Sequence, residues 1–386
     1  MSTSNLPQPT QSRPVHLSFL DGLRALAALF VVLHHAYRTV WSEYGTNHDA
    51  PLVLGVFKFG HFSVTLFIVL SGFCLMMPVI RNGVLKGGSK SFYQRRARRI
   101  LPTYYLALFF SLCLCFTILR HPSETPWNTS VPFTFSDVVA HLLLIHDFGH
   151  SYAINYPLWS VAVECQIYLF FPLFVALWQR WGGWKTTGLV LVISYALALK
   201  AHNTPYEGVT FQYYGLFALG MLGAQIALGQ GERWEKLRQR TPWILISLVL
   251  LGFVTYKCGH SVDSPGRLLD LLIALASMSL LIVCTRTGIS RTRAFLSMKP
   301  LVWIGTFSYS IYLIHAPLLQ VCWQYGLHPL GLSALWTFGL LAGVGTALIV
   351  VISYGFFWFC ERPFLPNNAP KLEKALPLQV DQTTAM

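Results

Sequence analysis

The chain has 386 residues, of which 54% are hydrophobic and only 11% are charged, and its mean hydropathy is +0.51. Soluble domains carry about 25% charged residues, so this composition excludes an ordinary soluble protein and predicts an integral membrane protein. The net charge of +13 would suit a nucleic-acid partner, but the basic residues lie in short segments between apolar runs. That distribution indicates membrane topology, and we predict no nucleic-acid binding.

Apolar runs of spanning length predict an all-α protein, a polytopic membrane helix bundle of about ten transmembrane helices. With the N-terminus inside, the segments on the inner side carry 21 lysines and arginines, whereas those on the outer side carry 6. This bias predicts that both termini are cytoplasmic. The predicted spans are residues 18–38, 57–80, 100–119, 157–178, 187–201, 210–229, 242–257, 267–285, 301–324 and 334–358.

Three regions follow from this pattern. We predict a cytoplasmic polar tail at 1–15, a membrane domain at 16–363 and a disordered cytoplasmic tail at 364–386. Within the longest outer connection, residues 136–148 form a mostly apolar amphipathic stretch that is predicted to lie on or dip into the outer interface.

The first span, FLDGLRALAALFVVLHHAYR at 19–38, carries ionisable side chains inside an apolar helix. Such groups are costly in a bilayer and mark candidate functional sites. Arg24 and His35 are eleven residues apart, which puts them on one face of an α-helix and about 16 Å apart along its axis. His34 points about 100° away from His35. A molecule that is held by Arg24 and meets His35 must therefore be long.

An arginine cluster in the sequence QRRARRILP precedes the third span, and Pro102 is predicted in the first turn of that helix. One interpretation is a topological anchor at the lipid headgroups. The other is a site for a polyanionic cytosolic ligand, because guanidinium groups bind phosphates in a bidentate manner. The cluster consists of Arg95, Arg96, Arg98 and Arg99.

Polar side chains also interrupt the fourth and ninth spans. In YPLWSVAVECQIYLFFP, Ser160 and Glu164 share a helix face just below Trp159, and the carboxylate is predicted to face the bundle. In WIGTFSYSIYLIHAPLLQ, Tyr312 and His315 lie on one polar face of an otherwise apolar helix. Structural roles for the carboxylate and for the histidine are the alternatives.

Counting along the helices at 1.5 Å per residue separates two groups of these side chains. His35, Glu164 and His315 fall in the outer half of the membrane, whereas Arg24 and the arginine cluster lie at the inner edge. The pattern predicts a polyanionic donor held from the cytosol and a His/Glu centre further out. A histidine suits general-base catalysis at neutral pH, and a neighbouring carboxylate would fix its tautomer.

Two further features are predicted to carry no chemistry. In FIVLSGF of the second span, Ser71 and Gly72 are expected to serve close helix packing. The eight cysteines have no CxxC spacing, and the histidines of the outer connection have no ligand spacing. We therefore predict neither a disulfide framework nor a metal site.

Taken in order, these blocks resemble the acyltransferase-3 family of integral membrane O-acyltransferases. The family pattern of a basic residue, ten intervening positions and a histidine falls on Arg24 and His35, which leaves His34 as the spare. The resemblance implies a domain of about ten spans that transfers an acyl group, commonly acetyl, from acyl-CoA to a hydroxyl, often of a surface glycan. It also implies that His35 is essential and that the Arg95 and Arg98 region contributes to the donor site. The matching blocks are LDGLRALAALFVVLHH, FIVLSGF, FYQRRARRILP, LWSVAVE, IGTFSYSIYLIHAP and ERPF, over about residues 16–363.

The resulting hypothesis is an O-acyltransferase of a bacterial cytoplasmic membrane that acts on a glycan, a glycoconjugate or a glycosylated metabolite. His35 is expected to be the general base, and Glu164 is expected to orient it. Acyl-CoA, with acetyl-CoA as the expected form, is the donor, and a homo-oligomer is left open. The residues expected to bind the donor are Arg24, Arg95, Arg98 and Arg99, and those expected to line the acceptor site are Trp159, Ser160, Tyr312 and His315.

Two other functions remain open at this point. A proton-coupled transporter or flippase could use a His/Glu pair, although we find no inverted repeat of the kind that such proteins carry. An acyl-relay subunit could pass the group across the membrane to a partner enzyme, with Tyr312 as a transient carrier.

Overall fold

The computed structural model describes residues 17–365 except 44–49, 150–151, 203, 205–208, 261–265 and 287–290. The secondary structure of these described residues is helical throughout, which confirms the predicted all-α class. Apart from residues 364–365, the tails predicted at 1–15 and 364–386 lie outside the described residues.

The helices follow one another through short connections. A 3-10 helix, Leu52–Phe59, precedes α2, and π-helical turns continue the last helices of the chain. In the described part of the chain the α-helices are α1 (Ser18–Val40), α2 (Phe62–Asn82), α3 (Gly88–Thr117), α4 (Phe135–Leu142), α5 (Trp159–Trp181), α6 (Gly183–Ala201), α7 (Gln212–Leu228), α8 (Glu232–Arg240), α9 (Trp243–His260), α10 (Arg267–Thr285), α11 (Arg291–Leu296), α12 (Lys299–Thr306), α13 (Ser308–Val321), α14 (Ala334–Leu340) and α15 (Thr346–Phe356).

Several of these helices have the length and hydrophobicity of membrane spans. Among the described residues, six helical segments are long and apolar enough to span a membrane, and eight if each of two bent pairs counts as one span. The bent pairs are α8 with α9 and α12 with α13. The protein is therefore an integral membrane protein, while the count of about ten spans and the orientation of the termini stay predictions.

The ninth predicted span, 301–324, is wrong as a single helix, because α12 and α13 meet at an angle of 73°. Phe307 separates them, and the Ser308 hydroxyl donates to the Gly305 carbonyl at 3.0 Å across the bend. Gly305 also touches the backbone of α1: a Cβ there would lie 2.0 Å from the Asp21 carbonyl oxygen. This close crossing holds α12 at an angle to α13.

The third helix begins at Gly88, so the prediction that Pro102 occupies its first turn is wrong. The residues before Pro102 include Gln, Ala and Arg, which are strong helix formers. The proline removes only its own bond to the carbonyl four residues earlier, and helix forms on both sides of it. The arginine cluster consequently lies on a helix and has distinct faces.

Close packing at glycines joins α2 to α7. A Cβ on Gly72 would lie 2.1 Å from the Phe217 carbonyl oxygen, and one on Gly220 would lie 2.0 Å from the Val69 carbonyl oxygen. Small residues at such contacts let membrane helices approach backbone to backbone. The packing role predicted for Gly72 is confirmed.

Candidate active site

A cavity of about 330 Å³ lies inside the bundle, between α1, α2, α3, α5 and the α12–α13 bend. The α3 side contributes basic residues to its walls, and the α5 side contributes hydroxyls and a carboxylate. The charged residues that line it are Asp21, Arg24, Arg96, Arg99, Glu164 and Glu361.

The three cavity arginines differ in their partners. Arg24 donates to the Asp21 carboxylate at 2.9 Å and to the Cys74 sulfur at 3.2 Å. Arg96 has a buried Nε without a hydrogen-bond partner in the described part of the chain. Neither Arg96 nor Arg99 has a carboxylate within ion-pair distance there. Glu164 and Glu361 line the same cavity, but guanidinium groups that form no ion pair in a partly enclosed site can still bind an anionic ligand.

Arg95 and Arg98, which the sequence assigned to the donor site, are exposed and are not among the residues that line the cavity. The Arg95 guanidinium donates to the Ser91 hydroxyl and, at 2.9 Å, to the Lys86 carbonyl. Arg96 is half-buried and Arg99 is exposed, and both line the cavity. They are three positions apart and therefore share the face of α3 that borders the cavity.

Sequence reasoning did not single out Arg96 from the cluster. A clue in the sequence was that Arg96 lies four residues before the apolar Ile100, so that the two share a helix face. Ile100 also lines the cavity. That spacing becomes informative only if the helix is known to begin at Gly88, whereas the apolar run suggested a start near residue 100.

Glu164 lines the cavity and accepts a hydrogen bond from the Tyr168 hydroxyl, which in turn is bonded to the Ser71 hydroxyl at 2.5 Å. No hydrogen bond joins Glu164 to His35 among the described residues. Glu164 lies about 7 Å along α5 from the N-terminal end of that helix, whereas His35 contacts Tyr156, which precedes α5.

His35 lies in a group of aromatic rings near the outer end of α1. Its ring centroid is 5.1 Å from that of His315, 4.9 Å from that of Tyr156 and 4.8 Å from that of His34. The predicted proximity of His35 and His315 is therefore present. Tyr156 is the first residue of the YPLW block, and the sequence did not predict it as a site residue.

Tyr312 links this group of rings to the cavity. Its hydroxyl and the Ser160 hydroxyl are bonded at 2.6 Å, and both residues line the cavity. On the other side, the Tyr312 ring centroid is 5.7 Å from that of His315. Two ring contacts, Tyr312 with His315 and His315 with His35, therefore connect the cavity wall to His35.

His34 and Trp159 have other surroundings. His34 is buried, and its Nδ1 is 2.7 Å from the Phe57 carbonyl oxygen, which ties α1 to the Leu52–Phe59 helix. Trp159 is stacked on Tyr213 with centroids 5.9 Å apart and does not line the cavity. Of the four predicted acceptor residues, Ser160 and Tyr312 line the cavity, whereas Trp159 and His315 do not.

The segment around α4 packs against α3. Tyr104, midway along α3, donates to the His141 carbonyl at 3.0 Å. The His141 and His146 rings stack with centroids 3.9 Å apart, and burial together with the neighbouring His141 lowers the pKa of His146 to about 3. Among the described residues, no group of three or more His, Cys, Asp or Glu side chains could hold a metal ion.

Comparison with known proteins agrees with this architecture. The sequence model of the acyltransferase-3 family, described as an acyltransferase domain, matches residues 17–358. No solved structure matches the chain.

Curated relatives carry related names. The peptidoglycan O-acetyltransferase OatA of Listeria monocytogenes serovar 1/2a is 26% identical over 327 residues, which cover 78% of this chain and 49% of that protein. The O-acetyltransferase OatA of Staphylococcus aureus is 26% identical over 376 residues, which cover 89% of this chain and 57% of that protein. The chain spans about half the length of these relatives. Because the family model matches most of its length, this chain belongs to the acyltransferase-3 family.

Proposed function

We propose that the protein is a membrane O-acyltransferase that moves an acyl group, in particular acetyl, from acyl-CoA to a hydroxyl of a glycan or of a glycosylated molecule. The names of both relatives support the acetyl group, and the name of the Listeria protein supports a glycan acceptor. The observation that carries the proposal is the cavity itself. It is lined by two arginines without an ion pair in the described part of the chain and by Tyr312, whose ring contacts lead through His315 to His35.

The donor is the polyanionic coenzyme. Its phosphates bind Arg96 and Arg99, helped by Arg24, while the exposed Arg95 and Arg98 meet the part of the molecule that extends toward the cytosol. Arg24 and His35 are about 16 Å apart along α1, which requires an extended arm such as pantetheine between the phosphates and the reacting thioester.

The chemistry needs one base. Neutral His35 takes the proton of the acceptor hydroxyl as its oxygen attacks the thioester carbonyl carbon. The carbon–sulfur bond breaks, coenzyme A leaves as the thiolate, and the proton from His35 neutralises it. Ser160 and Tyr312 supply hydroxyl groups beside the thioester. General-base catalysis of this kind contributes about 10²–10⁴-fold in rate.

The test is purified protein in lipid nanodiscs with radiolabelled acetyl-CoA and a glycan acceptor. We expect turnover onto the acceptor. A stable label on the protein without turnover would favour the acyl-relay subunit, and the absence of any label or coenzyme A release would favour the transporter.

A further inference from the structure

We propose that His315 is the positioning residue for His35. In this arrangement His315 Nε2 accepts a hydrogen bond from His35 Nδ1–H, so that His35 presents an unprotonated Nε2 to the acceptor hydroxyl. The inference rests on the proposed function, and it assigns to a neighbouring imidazole the orienting role that the sequence had assigned to Glu164.

The contact of His315 with a backbone carbonyl determines which of its ring nitrogens carries the proton. The side chain is fully buried on α13, and its Nδ1 is 2.7 Å from the Tyr312 carbonyl oxygen. A carbonyl oxygen can only accept, so this Nδ1 carries the proton, and Nε2 of the neutral ring holds a lone pair. His315 Nε2 is buried and has no hydrogen-bond partner among the described residues.

His35 offers the complementary group. Its Nδ1 is likewise buried without a partner in the described part of the chain. Leaving a buried polar nitrogen unpaired costs about 1–3 kcal/mol, so two such atoms on neighbouring rings favour pairing with each other. The ring centroids are 5.1 Å apart with 32° between the planes. No hydrogen bond joins the two nitrogens in this structure, but a ring rotation that turns them toward each other at that separation would bring them about 3 Å apart, the length of a hydrogen bond.

Two of the alternatives to His315 are already engaged. His34 uses its Nδ1 on the Phe57 carbonyl, and Glu164 accepts from Tyr168 inside the cavity. A base held by a second group that is itself anchored follows the logic of catalytic triads. Here the second group is a neutral imidazole, which stabilises the charged His35 less than a carboxylate would.

A matched pair of substitutions tests the proposal. His315→Asn retains an amide that can donate to the Tyr312 carbonyl but has no atom at the position of Nε2. His315→Gln has a side-chain oxygen that can reach that position and accept from His35. We expect kcat to fall by about 100-fold in His315→Asn and by less than about 10-fold in His315→Gln, with the KM for acetyl-CoA unchanged in both.

His141 provides the control. Its Nδ1 also lies against a backbone carbonyl, that of Asp137 at 2.8 Å, and its Nε2 also lacks a partner among the described residues. It stacks on His146 instead of His35. His141→Asn should therefore leave kcat and KM near their wild-type values.

A spectroscopic readout separates positioning from folding. In NMR spectra of protein labelled with ¹⁵N-histidine, the signals of His35 are those that disappear in His35→Asn. Their chemical shifts report the tautomer of His35. We expect one tautomer, protonated at Nδ1, in the wild type and a mixture in His315→Asn. An unchanged tautomer, or equal kcat losses in the Asn and Gln variants, would overturn the proposal. If His35→Asn itself retained full activity, the proposed base would be wrong instead.

Discussion

At the scale of single residues, the two adjacent histidines of α1 differ through their contacts. His34 is hydrogen-bonded to the backbone of the neighbouring 3-10 helix, whereas His35 is half-buried among rings and its Nδ1 has no partner among the described residues. Helix periodicity separated the two by about 100°, and packing then gave each a different environment. One side chain is thereby suited to structure and the other to proton transfer.

The residue-scale prediction for this pair concerns alanine variants. His35→Ala should lower kcat by at least about 100-fold with little change in unfolding temperature, since it removes the base. His34→Ala should lower the unfolding temperature, because it leaves the Phe57 carbonyl without its partner, while kcat stays within about 3-fold of wild type. Transfer assays and thermal unfolding on the same preparations check both. Retained transfer in His35→Ala would contradict the assignment.

The arginine cluster gives a second prediction at this scale. Arg96→Gln and Arg99→Gln should each raise the KM for acetyl-CoA by about 10-fold or more, because a hydrogen bond to a charged group contributes about 1.5–3 kcal/mol. Arg95→Gln and Arg98→Gln should have effects below about 3-fold, because these two side chains do not line the cavity and their exposed charges are screened by solvent.

Coenzyme A binding by calorimetry supplies a readout that is independent of turnover. Larger effects at Arg95 and Arg98 would support the assignment made from the sequence. If all four variants changed only the amount of protein in the membrane, the cluster would be a lipid anchor.

At the scale of helices, close backbone contacts position the helices that line the cavity. The α2–α7 contact at Gly72 and Gly220 supports the wall that carries Ser71 and Cys74, and the contact of Gly305 with α1 holds the α12–α13 bend against the cavity. Membrane helices gain little from burying apolar surface against each other, so close van der Waals packing carries much of their association.

Gly72→Ala tests this element-scale role. The added methyl would lie 2.1 Å from the Phe217 carbonyl oxygen, so the helices must separate, and overpacking of this kind costs about 1–3 kcal/mol. We expect a lower unfolding temperature and reduced turnover. Gly252→Ala on α9 is the control, because a Cβ there meets nothing within 4 Å. Equal stability of the two variants would argue against a close α2–α7 contact.

At the scale of the whole molecule, charge distribution determines how the bundle sits in the membrane. The excess of lysine and arginine on one side predicts that both termini and the arginine-lined end of the cavity face the cytosol, where acyl-CoA is made available. The same bias predicts that the histidine group lies toward the outer leaflet. In the proposed function, this orientation would let a cytosolic donor and an outer acceptor meet inside one protein.

Reporter fusions test the orientation. Green fluorescent protein fused at either terminus should fluoresce, whereas alkaline phosphatase inserted near Arg120, after α3, should be active. Insertion near Arg233, in the segment between α7 and α9, is the control and should give an inactive phosphatase. Phosphatase activity at the C-terminal fusion would mean an odd number of spans, given a cytoplasmic N-terminus.

The sequence alone was sufficient to predict the helical class, the membrane location and several helix limits, including α10 at Arg267–Thr285. These properties depend on the transfer of neighbouring residues between water and lipid and on helix periodicity, and both can be counted along the chain. The family was predicted from the resemblance of ordered sequence blocks, and the family model confirms it. Tertiary packing was needed for the bend at Phe307, for the choice of Arg96 within its cluster and for the separation of Glu164 from His35. Those features depend on which helices touch and at what depth, and residues far apart in sequence set these contacts.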